Sequence, residues 1–363
     1  MLPLPVPQGL PAPSWLLQAL LILTFFLHVV PMTITLGGTW IALVAGLLGR
    51  RRPEGALAGL ARQLAGLLPT VTAFTITLGV APLLFLQLLY GLFFYPSTIL
   101  LAWSWLAVIG LLLVGYGGIY TVAWRRQPVM GWKQLLTFGL SSVTFLLTAF
   151  IYTNVMTLML VPGRWAELFT TTLGAGTGLN LADATLLPRF AHILLGVVAA
   201  AGMFVVALGQ FDADPANGRQ VQRFGLCWLV PAVLLQGVVA PWYLGRITGP
   251  GRAGLQGLGL TILVPLAVGL GALALVLALL AWWRGRAPVL IGAAAGALLL
   301  VVAVLTVLRH MVRQAILAPL LPAEAWRVDP QTVVFVLFVV VLLAAVGVIG
   351  WLLLRFRRAQ PVL

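Results

Sequence analysis

Along most of this chain the hydrophobic residues neither alternate nor form a stripe. They continue for twenty residues and more, and short stretches rich in Arg, Gly, Pro and acids separate the runs. A helix needs about 20 apolar residues to cross the hydrocarbon core of a bilayer, and an open spanning segment satisfies its backbone there only as a helix. Windows of about 19 residues pick out such runs near residues 14–48, 64–94, 99–124, 134–161, 185–210, 222–244, 257–283, 288–316 and 331–355. The first exceeds one perpendicular crossing, so its start, with Trp15, is expected in the interface. The pattern predicts an all-α polytopic membrane protein of about nine transmembrane helices. No soluble domain and no repeat of fixed period interrupts it, so residues 1–363 read as a single membrane domain. The Gly- and Ala-rich run at 292–298 predicts close helix packing.

Basic residues then orient the bundle. Arg50, Arg51, Arg52, Arg62, Arg125, Arg126, Lys133, Arg219, Arg223, Arg284, Arg286, Arg355, Arg357 and Arg358 fall in alternate connections and the C-terminal tail. Only Arg164, Arg246, Arg252 and Arg327 fall on the other side. The positive-inside rule puts the N-terminus outside and the C-terminus inside, with the two longest connections, 162–184 and 317–330, facing outward. Composition agrees: 62% of residues are hydrophobic and 8% charged, against about 25% charged in soluble domains. The net charge of +14 does not indicate nucleic acid, because the basic residues are dispersed between spans and form no soluble face. One cysteine, Cys227, excludes an internal disulfide framework, an iron–sulfur ligand set and a covalent c-type haem motif. The opening MLPLPVPQGLPAPSW has no basic n-region, so no cleaved leader is expected.

Polar groups at membrane depth are expensive and mark function by default. All seven acids (Glu54, Glu167, Asp183, Asp212, Asp214, Glu324, Asp329) fall in connections or at helix ends. A carboxylate proton relay therefore has nothing to work with inside the spans. What remains there is His28, His192, His310, Arg309, Arg313 and amides including Gln87 and Asn154. All three histidines fall in the outer half under this topology, on three different spans. Neutral imidazole is an axial ligand for haem iron, and a haem in a bundle is held by histidines on its helices. Guanidinium offers a bidentate fork to haem propionates. The plainer readings are a histidine bonded to a neighbouring carbonyl, arginines snorkelling to the interface, and Gln87 making an interhelical hydrogen bond. Met203 and Met311 are weak further candidates for axial ligands.

These residues resemble subunit I of the cytochrome bd-type quinol oxidases over nearly the full length and in the same helix order. His28 followed by Thr35, Leu36 and Gly37 is similar to the family's first-helix histidine and its TLG step. Gly79, Val80 and Ala81, then Gln87 and Gly91, are similar to its GVA segment ending in an acid and a glycine. RFAHILLGVVAAAGMFVVALG, Arg189 to Gly209, resembles the fifth helix, whose histidine ligates the low-spin haem b; Asn154 after the fourth helix also fits. RHMVRQ, Arg309 to Gln314, resembles the segment in which a haem-ligating glutamate precedes an Arg and a Gln, with His310 in the glutamate's place. There are departures too. Gln87 stands where the family has an acid, residues 257–283 hold no methionine ligand, and only Gly245 to Gln256 replace the long quinol-binding loop.

The resemblance implies a cytochrome bd subunit I-like bundle in a bacterial inner membrane, two or three haem b groups in its outer half, and quinol as substrate. His28, His192 and His310 are the expected axial ligands to haem iron, Arg309 and Arg313 the expected propionate partners, and Gln87 a residue near a haem. The reading preferred here is an electron-transfer subunit between the quinol pool and a periplasmic redox partner, a multihaem c-type cytochrome or an iron–sulfur protein. The alternatives are a terminal quinol oxidase subunit reducing oxygen, and a haem-free anchor or transporter.

Overall fold

The computed structural model describes residues 9–125, 130–285 and 287–359. Residues 1–8, Arg126 and Arg286 of the readings above lie outside the described residues, as do the side chains of Arg357 and Arg358. Eleven α-helices are present among the described residues: α1 (Ser14–Gly49), α2 (Ala56–Leu100), α3 (Ala102–Trp124), α4 (Trp132–Leu158), α5 (Trp165–Thr171), α6 (Leu186–Gln210), α7 (Pro215–Arg246), α8 (Gly249–Leu255), α9 (Val264–Arg284), α10 (Pro288–Leu317) and α11 (Thr332–Ala359). Nine are long and apolar enough to cross a membrane; α9 is extended for this by the π-helical turn Gly259–Leu263. The short α5 and α8 lie in connections at the end of the bundle where α1 begins.

Local sequence explains where the long helices bend. Proline in a helix interior removes one hydrogen bond and crowds the preceding turn. α1 carries Pro31, α7 carries Pro231 and Pro241, and α2 carries Pro69, Pro82 and Pro96. The 45-residue α2 also breaks at Tyr90, whose φ of −133° and ψ of 26° are not helical. α2 begins at Ala56, eight residues before the hydrophobic window, because the first two turns of LARQLAG still bury Leu60, Ala61 and Leu64.

The close packing expected at 292–298 is present, but alanines make it. Ala294 and Ala297 of α10 are buried, with Ala278 and Ala281 of α9 in the same cluster as Ala294, whereas Gly292 and Gly296 face open space. A close backbone seam joins α6 and α7. A Cβ on Gly202 would come within 2.8 Å of the Leu229 backbone nitrogen, and one on Gly225 within 2.7 Å of that of Val206. Gly209 and Gly218 make a second such contact one heptad along each helix. Small residues at this spacing let two backbones meet without intervening side chains.

The packing is layered. Near the basic connections, residues such as Leu36, Leu64, Phe138 and Val205 form one core, and Met203, Leu229 and Ala294 another. Toward the opposite end, Leu17, Phe94, Met159 and Leu317 form a third core, and Leu255, Leu308 and Val312 a fourth. Between them lie residues 25–32 of α1, 73–81 of α2, 146–150 of α4, 189–196 of α6, 233–246 of α7 and 298–305 of α10, and not one of these is buried. A bundle helix ordinarily buries a stripe on every turn at near-crystalline density. Here six helices lose that stripe over the same stretch, although α1 still meets α2 at His28–Thr75 and α6 meets α7 at His192–Gln236 within it.

Candidate functional site

His28 and His192 lie in this loosely packed layer, and Arg309 and His310 lie one turn from its edge. The ring of His28 donates from Nδ1 to the Thr75 carbonyl oxygen on α2 at 2.9 Å. That carbonyl can only accept, so the proton is on Nδ1 and the Nε2 lone pair is free. The ring reaches the α2 backbone because residue 79 is glycine: a Cβ there would sit 2.9 Å from His28 Cε1 and 3.0 Å from Nδ1. Neighbouring hydroxyls fix the α1–α2 register, with Thr35 bonded to Thr75 at 2.9 Å and Thr72 donating to Thr35 at 3.3 Å.

His192 is held in the same way by α7. Gln236 donates from Nε2 to the His192 carbonyl oxygen at 2.8 Å, which fixes its amide orientation; its Oε1 then accepts from His192 Nδ1 at 2.8 Å. Nε2 is again the free nitrogen. Anchoring one ring nitrogen fixes the tautomer and the orientation of a metal-ligating imidazole. Tyr243 stacks on the ring, with centroids 5.9 Å apart and planes tilted by 30°, and its hydroxyl accepts from Arg189 Nε at 2.9 Å. Arg189 also donates to Thr157 Oγ1 at 3.1 Å, tying α4, α6 and α7 together.

His310 differs from the other two. It is buried, and its Nδ1 has no hydrogen-bond partner. The three histidines do not converge on a common point, and no group of three metal-ligating side chains occurs among the described residues. The arrangement does not place all three around one metal ion.

Arginine is what gathers at the centre. Arg309 lies over the Phe25 ring at 4.2 Å, and Phe25 is 6.4 Å from the His28 ring. Arg313 is buried against Tyr90, its Cζ 5.5 Å from the ring centroid. Arg189, Arg309 and Arg313 are near enough to interact electrostatically, with Tyr152 beside the last two. Among the described residues neither Arg309 nor Arg313 makes a hydrogen bond or ion pair with a side-chain acceptor, and the ion pairs Arg164–Glu167 and Arg327–Asp329 lie in connections. Buried guanidinium is costly without an anion, so the cluster fits a ligand bringing carboxylates of its own. Imidazoles anchored at one nitrogen, an incompletely buried layer and arginines without a bonded side-chain acceptor together fit haem.

The other sequence candidates behave more plainly. Gln87 is half-buried on α2 and makes no hydrogen bond among the described residues, so the interhelical bond expected of it is not formed. Met203 is buried in an apolar core, and Met311 packs against α8 and the π-turn. Asn154 accepts at Oδ1 from the Asn180 backbone at 2.8 Å, and Asn180 accepts from Arg164 at 2.7 Å, which pins the α5–α6 connection to α4. Sequence reasoning missed Thr75, Gln236, Tyr243 and the anchoring role of Gly79. Gln236 carried a signal as an amide within a span; Thr75 acts through its backbone and carried none.

No family model matches the sequence, and no curated protein does. Among solved structures, the chain is similar to a bd oxidase chain from Geobacillus thermodenitrificans, with a TM-score of 0.69 at 15% identity over 98% of this chain and 100% of that one. The likeness shows a common fold, the all-helical bundle of the cytochrome bd subunit type that the resemblance implied.

Proposed function

We propose that the chain is a haem b-binding subunit of a membrane respiratory complex, passing electrons between the quinol pool and a redox partner outside the bacterial inner membrane. The observation that carries this reading is a layer of incompletely buried helix residues holding imidazoles anchored at Nδ1 and free at Nε2. His28 and His192 would present Nε2 as axial ligands, with His310 a third ligand on α10. Arg309 and Arg313 would meet propionates, and Gln87 would border the same layer. Haem b supplies a one-electron iron couple when bound. The chain holds the rings, excludes water with its apolar cores and compensates propionate charge with arginine.

No acid stands within a span, which favours electron transfer over a reaction that draws protons inward. Protons from quinol would leave on the outer side, where the connections 162–184 and 317–330 offer surfaces to quinol and to a c-type cytochrome or iron–sulfur partner. The chain would act as one membrane domain. A second reading, an oxygen-reducing quinol oxidase subunit, is favoured by the shared fold with bd oxidase.

The test is the dithionite-reduced minus oxidised spectrum of the purified protein, with its haems extracted and typed. Haem b alone, with sharp low-spin bands unmoved by carbon monoxide, is expected. A far-red haem d band or a carbon monoxide-reactive site would select the oxidase, and absence of haem would reject both. His192→Ala should remove one low-spin signal while the protein still inserts in the membrane.

A further inference from the structure

The basic end carries a feature that the electron-transfer reading does not use. Arg50, at the end of α1, lies with Cζ 4.0 Å from the ring centroid of Trp132, the first residue of α4. The number of positive charges on one side suffices to orient a span, so orientation does not require this one to be held on a ring. Stacking on tryptophan fixes the place of a guanidinium and leaves its charge available. Lys133, the next residue, is exposed, as are Arg51 and Arg52, whose backbone nitrogens donate to the Leu48 and Gly49 carbonyls at 3.3 and 3.1 Å and so continue the end of α1. Among the described residues no acid pairs with any of these four cations. Glu54, the acid in the same connection, lines a cavity with Leu208, Phe211 and Asp212 at the α6–α7 turn.

An apolar face of α4 runs away from this rim. Trp132, Leu136, Leu140, Val143 and Leu147 recur every three or four residues, which places them on one face, and they are between 42% and 71% exposed. From Trp132 to Val143 the face rises about 16 Å, close to one leaflet of a hydrocarbon core about 30 Å thick. Trp132 belongs to both features, so the cations stand at the head of the apolar face. A soluble acidic partner would match the cations and leave the face beside them uncovered. A phospholipid matches both, and a rim of cations without an acid favours a headgroup of net negative charge over one that carries its own ammonium.

We infer that the end of α1 and the start of α4 form a binding site for one anionic phospholipid, whose phosphate meets Arg50 and Lys133 and whose chains lie along the Trp132–Leu147 face. Trp132 has two roles there: it holds the Arg50 guanidinium in place and begins the surface that the chains cover. The site is independent of the haem reading.

The test offers phosphatidylglycerol or phosphatidylcholine with the same chains to the full-length protein, purified and stripped of lipid in detergent, and counts bound lipid by native mass spectrometry. Phosphatidylglycerol should be retained more tightly. Arg50→Gln and Lys133→Gln should each weaken its retention roughly fivefold, the loss expected for one cation removed beside an anionic headgroup, and leave phosphatidylcholine unaffected. Arg219→Gln removes an exposed cation at the same end of the bundle, on α7, and should change neither. Equal losses from Arg50→Gln and Arg219→Gln would mean attraction to the charge of the whole end and would overturn the site, as would equal retention of the two lipids. Displacement of phosphatidylglycerol by inorganic phosphate would overturn the part assigned to the α4 face. If Arg50→Gln lowers the unfolding temperature of the lipid-free protein, Lys133→Gln, at an exposed position, decides the question by itself.

Discussion

Two residues on neighbouring helices, Gly79 and Gln236, decide whether each anchored imidazole keeps its Nδ1 hydrogen bond. Gln236 can orient His192 only because its own amide is fixed by the His192 carbonyl, 2.8 Å away. Gln236→Leu should leave the fold intact and weaken haem retention at that site by roughly 10–100-fold, as loss of an outer-shell partner does; pyridine haemochrome titration after dialysis against apomyoglobin reads this. Gly79→Ala works by crowding: the added carbon would lie 2.9 Å from the His28 ring, so the ring must leave the Thr75 carbonyl. The expected result is loss or broadening of the His28 haem signal with the His192 signal unchanged. Equal loss of both signals would mean that the change acts on the fold as a whole. The sequence showed the histidines, because an ionisable group in an apolar run is conspicuous. It hid their supports, since a backbone carbonyl carries no residue label and a glycine among 39 does not announce which neighbour it accommodates.

At the scale of elements, uninterrupted apolar runs predicted the spans well because lipid imposes a length and a composition on each of them. They said little about how the helices meet. In lipid the apolar residues that face tails and those that face neighbours are of the same kind, so the α6–α7 seam had to be read from the backbone contacts of Gly202, Gly209, Gly218 and Gly225. Gly225→Leu should drive these helices apart, because a Cβ on residue 225 would fall 2.7 Å from the Val206 nitrogen. Overpacking costs about 1–3 kcal/mol, and at a backbone–backbone contact the upper end is expected. Since His192 and Gln236 close the same helix pair nearer its other end, the variant should lower both the unfolding temperature and the intensity of the His192 haem band. Gly237→Leu, on the same helix with open space around it, should do neither.

For the whole molecule, orientation is a functional matter, because Arg189 and His192 lie in the first turns of α6 and Arg309, His310 and Arg313 in the last turns of α10, nearer the end where α1 begins. A parallel β-bridge pairs Leu10 with Val328, so the start of α1 and the approach to α11 share that end, while the basic connections gather at the other. On the proposed topology a basic excess of this kind marks the cytoplasmic side; His28 and His192 would then lie nearer the outside, and a quinol-derived proton would have a short way out. The single cysteine makes the orientation directly testable. In a Cys227→Ser background, Leu173→Cys places a thiol on the α5–α6 connection, at a position 92% exposed. Gln220→Cys places one on an exposed position in the first turns of α7, at the basic end. A membrane-impermeant maleimide should label Leu173→Cys in intact cells and Gln220→Cys only after lysis. The reverse pattern would put the α6 and α10 histidines nearer the cytoplasmic side, and the proposed transfer to a periplasmic acceptor would fail.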